Sequence, residues 1–462
     1  MSGVLAGVLA YVLVQFAIGA WVSRRMTGEK DYILAGRSLG VTLVTFSVFA
    51  TYFGAEAIVA TGGTVYEKGL AGALVDPFAY AFAILLTGLL LARALWSRGL
   101  TTFADLFRER YSPGVERLVV AVLLPGSVIW AAAQVRAFGQ VMSANSSLGL
   151  VAAITLAAVL VGAYSVVGGL LADAVTDTIQ GLAVLAGLVI LGWMVAMSVG
   201  GVAEGLARVP AEKLRLIEPD DGLLAVLERS AVPICGTLIA VELISRFLGA
   251  RSANVAAIGT GLGGLMYLAI GSIPIFLGLV GPSLLPQIED PEQTVARLAE
   301  LFLPGLLHIA FVGAVVSAIL SSVHSALHAP AAQISHNIVL RVIPGLSEHG
   351  KLWSVRLTVL GLSIVAYAIA VTSHGIHELV ETASAFGGAG VLVVTLFALF
   401  SRFGGSHSAY ASVSAGLLVW LGGKYVFGLS VPYLISLGCS LVAYVGVGLI
   451  EGKQAVRLIT SN

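Results

Sequence analysis

Charged side chains are scarce in this chain: 11% of its 462 residues are Asp, Glu, Lys or Arg, against about a quarter in a soluble domain. With 58% hydrophobic residues and a mean hydropathy of +0.97, the chain has more apolar surface than one core can hide. Lipid is the solvent that accepts it. Cysteine is scarce too. Cys235 and Cys439 lie in apolar stretches and read as small buried hydrophobes rather than a disulfide or metal site. A formal net charge of +0 gives no electrostatic reason to bind nucleic acid. Segments between the apolar runs are too short for a soluble catalytic domain. No Walker A pattern and no glycine-rich phosphate loop after a strand is present, which disfavours ATP-driven pumping by this chain.

What the chain has in abundance is membrane-length apolar runs. They fall at roughly 4–22, 41–66, 73–96, 117–144, 149–166, 174–198, 223–248, 253–281, 304–329, 354–373, 378–401, 408–427 and 430–450, which predicts about thirteen transmembrane helices in an all-α polytopic protein. The first run, Val4 to Val22, lacks a small-residue cleavage site and is read as the first membrane helix. Glycine, at 55 residues, suits helices packed closely in lipid. One set of alternating loops holds Arg24, Arg25, Lys30, Arg37, Arg98, Arg108, Arg110, Arg117, Arg246, Arg251, Arg341, Lys351, Arg356 and Arg402, with Lys453 and Arg457 in the tail. The opposite set holds Lys68, Arg208, Lys213, Arg215, Arg297 and Lys424. This bias predicts a multi-pass protein of the cell membrane with its N-terminus outside and its C-terminus in the cytoplasm.

Polar residues at membrane depth mark where function is expected. The second run, Ser47 to Gly63, reads SVFATYFGAEAIVATGG, with Gly54 and then Glu56 near mid-membrane. A carboxylate there costs several kcal/mol on insertion scales, so it needs a reason. Gly62 and Gly63 have an alternative reading as close-packing residues. Five runs later ERSAVPICGTLIAVE, Glu228 to Glu242, is interrupted by Pro233 and Gly236. Interrupted helices at matching places in two halves point to a transporter site. The halves would be 41–198 and 223–403, after an N-terminal helix and loop over 1–40 and before C-terminal helices over 404–462. Between Phe311 and Asn337, Ser321, Ser322 and Ser325 occupy adjoining helical positions. Their hydroxyls suit Na⁺, or bond back to their own helix. His324 and His328, one turn apart, either shuttle protons or make interhelical hydrogen bonds. Asp177 and Asp173 lie near a helix start, where the dipole favours acids. Arg136 is deep enough to need a partner: Glu56, a substrate carboxylate, or the outer face.

The segments ATYFGAE, VVGGLLADAVTDTIQ, ISRFLGARSA and AVVSAILSSVHSALHAPAAQISHNI resemble the sodium/solute symporter family. The resemblance implies a LeuT-like inverted repeat of five plus five helices with an extra N-terminal helix. It also implies Na⁺ co-transport, with Na⁺ held by the carbonyls of Ala50, Phe53 and Ala318 and the hydroxyls of Ser321 and Ser322. A second ion site in some members would use Asp177, Ser325 and the position of His324, where an imidazole replaces a hydroxyl and disfavours Na⁺. DPFAYAFAILLTGLLLARAL and SVIWAAAQ are similar to the choline transporter branch. That similarity implies a partial aromatic cage of Tyr52, Tyr80 and Trp130, with Ala240 at a fourth position and Gln134 in the same lining. Glu56 and Arg136 together would suit a zwitterion.

The expectation is a non-enzymatic, sodium-coupled symporter working by alternating access as a single chain, importing a zwitterion, quaternary ammonium or carboxylate such as choline, betaine or proline. The alternatives are a proton-coupled carrier using Glu56, Asp177 or His324, and a membrane solute sensor. An intramembrane enzyme is disfavoured, because His324 and His328 lack the intervening Glu of a metalloprotease motif.

Overall fold

A computed structural model describes residues 3–24, 28–144, 146, 148–219, 221–373 and 375–460. Arg25, counted above among the loop cations, lies outside them, as do the side chains of Lys453 and Arg457. The principal helices are α1 (Gly3–Ser23), α2 (Val41–Tyr52), α3 (Thr61–Lys68), α4 (Tyr80–Leu86), α5 (Pro113–Ala144), α6 (Leu150–Val167), α7 (Leu170–Ser198), α8 (Leu223–Leu238), α9 (Val241–Leu248), α10 (Ala253–Leu284), α11 (Gly305–Gln333), α12 (Glu348–Thr372), α13 (Ile376–Ala385), α14 (Gly388–Phe400), α15 (Ser406–Leu421) and α16 (Pro432–Thr460). Among the described residues, 9 helices are long and apolar enough to cross a membrane, and three apolar ones are shorter.

α11 is buried from Phe311 to Gln333, its serines and histidines included. It packs against α1, α5, α7 and α9, while α2 packs against α7, α9 and α10.

Several predicted spans are broken. α2 stops at Tyr52 because Phe53 turns to φ −81°, ψ 65°. The Gly54 N–H then bonds to Tyr52 O at 2.9 Å, an inverse γ-turn. The helical partner of that N–H would have been Ala50 O, which is thereby left for another donor. In the second half the break does not fall at Pro233 or Gly236. Both lie inside α8, and the chain leaves the helix at Ile239 and Ala240, where Ile239 N and Ala240 N bond three residues back at 3.2 Å each. Pro233 removes one N–H from the ladder and the neighbouring bonds carry the helix past it. The third break, at Phe386 and Gly387, divides α13 from α14, and Gly387 has φ 70°, the left-handed region open to glycine.

Other expectations are corrected here. Arg246 is not a loop cation; it sits within α9 at 0% exposure. Asp173 stands in the first turn of α7, as expected, whereas Asp177 lies one turn deeper; both are fully buried in the bundle. Cys439 is exposed on α16 rather than buried. Gly62 and Gly63 are packing residues: a Cβ on them would lie 2.5 Å from Val295 and 2.8 Å from the Pro291–Glu292 backbone.

One end of the bundle is sealed. Leu39 N bonds to Gly249 O at 3.1 Å and Arg251 N to Leu39 O at 2.9 Å, tying the entry of α2 to the exit of α9. Nearby, the buried Asn337 amide donates to Asp105 at 2.8 Å and Glu116 at 2.7 Å, and accepts from Thr102 at 2.7 Å. Asn337→Ala removes the donor these carboxylates share. It is expected to loosen the seal and raise the Na⁺ concentration for half-maximal thermal stabilisation by about fivefold or more, the size of a typical coupling. An unchanged Na⁺ titration would show that the cluster does not bias the transport equilibrium.

Candidate ion and solute sites

The γ-turn at Phe53 faces α11. Ser322 Oγ donates to Ala50 O at 3.1 Å and lies 3.3 Å from Ala318 O, so three of the five predicted sodium ligands converge. Ser321 is on the same helix and donates to Asp177. These are hard, formally neutral oxygens, the donor type that Na⁺ accepts. Gly54 makes the approach possible, since a Cβ there would lie 2.6 Å from Ser322 Oγ. Gln134 also comes to this turn, its Oε1 2.9 Å from the same point, rather than lining the solute cavity.

The predicted second ion site is organised differently. Asp177 accepts from Ser47 at 2.7 Å and from Ser321. Ser325 accepts from Arg246, whose Nε donates to Thr51 at 3.0 Å and whose far end pairs with the fully buried Asp173. His324 Nε2 lies 3.6 Å from Asp173 and its ring stacks on His328 at 5.3 Å. His328 Nε2 meets Tyr32 O at 3.1 Å, the interhelical bond that was one of its two readings. A guanidinium thus stands within hydrogen-bonding reach of a hydroxyl that would have to ligate a second Na⁺.

The candidate solute cavity lies between α2, α5, the α8–α9 break and the α13–α14 break. Its volume is about 80 Å³, and Tyr52, Tyr80, Trp130, Ala240 and Glu242 are among its lining. Ring centroids are 5.7 Å apart for Tyr52 and Tyr80 and 5.8 Å for Tyr52 and Trp130, which brings the three predicted aromatics together. Tyr80 and Ser384, whose hydroxyls are 3.3 Å apart, form a thin partition. Beyond it a vestibule of about 420 Å³ is lined by Glu56 and Asp76 and reaches Lys68 and Lys424. Glu56 therefore lines this larger space rather than the inner cavity. Arg136 lines neither space; its Nη1 donates to Ala370 O on α12 at 2.9 Å. The predicted pairing of Arg136 with a solute carboxylate has no support in this geometry.

Three residues of these sites were not singled out from the sequence. Glu242, Asp76 and Arg246 all stand in apolar stretches, the same signal that drew attention to Glu56.

The model of the sodium:solute symporter family matches residues 32–416. The chain belongs to this family. It is a sodium-coupled solute symporter and not an enzyme. The symporter is 25% identical to the human high affinity choline transporter 1, with 92% of this chain and 77% of that protein covered. It is 26% identical to the Torpedo marmorata protein of the same name (96% and 80% covered). A Staphylococcus aureus sodium/proline symporter is 24% identical (90% and 85% covered). Among solved structures, a Na⁺-coupled sialic acid symporter in a substrate-bound outward-open state superposes with a TM-score of 0.84 at 16% identity, over 97% of this chain and 98% of that one. Mhp1, a nucleobase-cation-symport-1 transporter, gives 0.62 at 14% identity over 92% and 95%. The symporter therefore has the LeuT-like fold expected from its motifs, and it is a multi-pass membrane protein.

Proposed function

We propose that this symporter imports a small organic cation together with one Na⁺ per cycle. The observation that carries the solute class is the inner cavity: three aromatic rings in mutual contact, with Glu242 the charged residue in the lining. Aromatic faces attract a desolvated cation by about 1–2 kcal/mol each, and with Arg136 turned away nothing there compensates a solute carboxylate. This narrows the expected solutes to cations. The choline transporters among the relatives support the same choice.

Na⁺ would be held by Ala50, Phe53 and Ala318 carbonyls with the Ser321 and Ser322 hydroxyls, clamping α2 to α11. The Arg246 guanidinium beside Ser325 repels a second ion, which supports a stoichiometry of one. The repeats would be 41–198 and 223–403, flanked by 1–40 and 404–462. The Arg-rich loops support an N-terminus outside and a cytoplasmic C-terminus, with the vestibule open to the outside. A single chain holds both sites and would suffice for transport.

The test is thermal stability in NaCl against KCl, with choline, betaine, proline, acetate and glucose as solutes. Na⁺ at a hundredfold excess over its Kd should stabilise the protein by about 2.7 kcal/mol, the effect should deepen with a cation, and Ser322→Ala should remove it. Equal stability in both salts at every pH would sink the sodium assignment and favour proton coupling. Deepening by acetate but by neither choline nor a protonated amine such as N,N-dimethylethanolamine would sink the cation assignment.

A further inference from the structure

The inner carboxylate does more than supply charge. Glu242, in the first turn of α9, is 5% exposed and lines the cavity together with Ser127 of α5. Its Oε1 is buried and has no hydrogen-bond partner among the described residues. Arg246, one turn further along the same helix, is committed to Asp173, Thr51 and Ser325 and does not neutralise it. A buried, unpaired carboxylate oxygen is costly, and the cost is removed only by a donor. The lining also carries the hydroxyls of Ser127 and Thr237, and Ser127 stands within hydrogen-bonding reach of the carboxylate, yet Oε1 itself stays without a partner among the described residues.

We infer that Glu242 selects solutes whose ammonium group carries at least one N–H: a protonated primary, secondary or tertiary amine rather than a quaternary ammonium. This rests on the organic-cation reading of the same cavity and sharpens it. Tyr52, Tyr80 and Trp130 respond to positive charge and apolar bulk, which methylated and unmethylated ammonium groups both offer. Glu242 responds to hydrogen-bond donation, which a quaternary ammonium lacks. A quaternary group would leave Oε1, already buried, with its lone pairs unmet. A site that leaves its own buried polar group unpaired rejects the deficient solute strongly. The cage position occupied by Ala240 is the complement of this: the wall lacks a fourth ring, and the carboxylate two residues along supplies the attraction instead.

The test is a methylation series at constant charge: ethanolamine, N-methylethanolamine, N,N-dimethylethanolamine and choline, titrated against the melting temperature of the full-length protein in NaCl. The first three are expected to bind within a few fold of one another. Choline, which alone lacks an N–H, is expected to bind at least tenfold more weakly than N,N-dimethylethanolamine. Glu242→Leu should erase that last step. The wild-type series decides the matter by itself should this variant fail to fold. Choline binding as well as or better than N,N-dimethylethanolamine overturns the inference while leaving the organic-cation reading in place. Failure of all four amines alongside Na⁺-dependent binding of betaine or acetate overturns both.

Discussion

Gly54→Val is expected to abolish the sodium response while leaving the fold intact. The γ-turn at Phe53 frees Ala50 O, and Ser322 Oγ reaches it at 3.1 Å only because Gly54 carries no side chain. A Cβ there would lie 2.6 Å from Ser322 Oγ, 2.9 Å from Gln134 Oε1 and 3.2 Å from Ser322 Cβ. The Ser322 hydroxyl can rotate but its Cβ cannot, so α11 must move away from α2 and the oxygens disperse. A tenfold loss of Na⁺ affinity is about 1.4 kcal/mol, and the displacement is expected to exceed it. The Na⁺ titration of the melting temperature reads the effect. Gly361→Ala is the control, since a Cβ there meets nothing within 4 Å and alanine favours a helix interior. That variant should keep the wild-type Na⁺ response. Normal Na⁺ stabilisation in Gly54→Val would place the ion elsewhere.

Arg246→Met is expected to have the largest effect on stability. Arg246 and Asp173 are both at 0% exposure, and the pair joins α9 to α7 across the bundle. Deleting one partner leaves the other charge buried and uncompensated, at a cost of about 3–5 kcal/mol. The double variant Arg246→Met/Asp173→Leu should recover most of the stability, because an apolar pair of similar volume avoids desolvating two ions. Unfolding in a denaturing detergent titration distinguishes the two variants. A double variant no more stable than the single one would mean that the bonds of Arg246 to Thr51 and Ser325, rather than its charge, hold these helices together.

Much of this was legible from one chain because lipid imposes simple rules. Long apolar runs are helices in a bilayer, and all of the predicted spans coincide with helices or broken helices. The break after Tyr52 was legible because Gly54 and a mid-membrane Glu56 stand together. The break at Ile239 and Ala240 was not, because no Gly or Pro occupies those two positions and Pro233 drew attention to a turn that stays helical. Arg246 was misread for a positional reason: it ends an apolar run and is followed by Arg251, so it has the spacing of a loop cation. Its partner Asp173 is remote in sequence, and only the fold brings them together. Arg136 was recognised as needing a partner; one partner is a backbone carbonyl at Ala370, and carbonyls leave no trace in a sequence pattern. The serines on α11 were legible as a cluster; which of them faces Ala50 and which faces Asp177 depends on helix phase and on its neighbours.

The guanidinium fixed beside Ser325 also sets how hard the membrane voltage can pull. In the proposed cycle of one Na⁺ per turnover, with the Arg246 side chain held beside Ser325, any further charge must travel on the solute. A membrane potential of 100 mV is worth about 2.3 kcal/mol per charge moved, and a tenfold Na⁺ gradient about 1.4 kcal/mol. A neutral solute could then be concentrated about 500-fold. A cationic solute brings its own charge through the field, and the limit rises to about 20,000-fold. An arginine in place of an ion thus need not weaken the pump, because the cargo pays its own electrical fare.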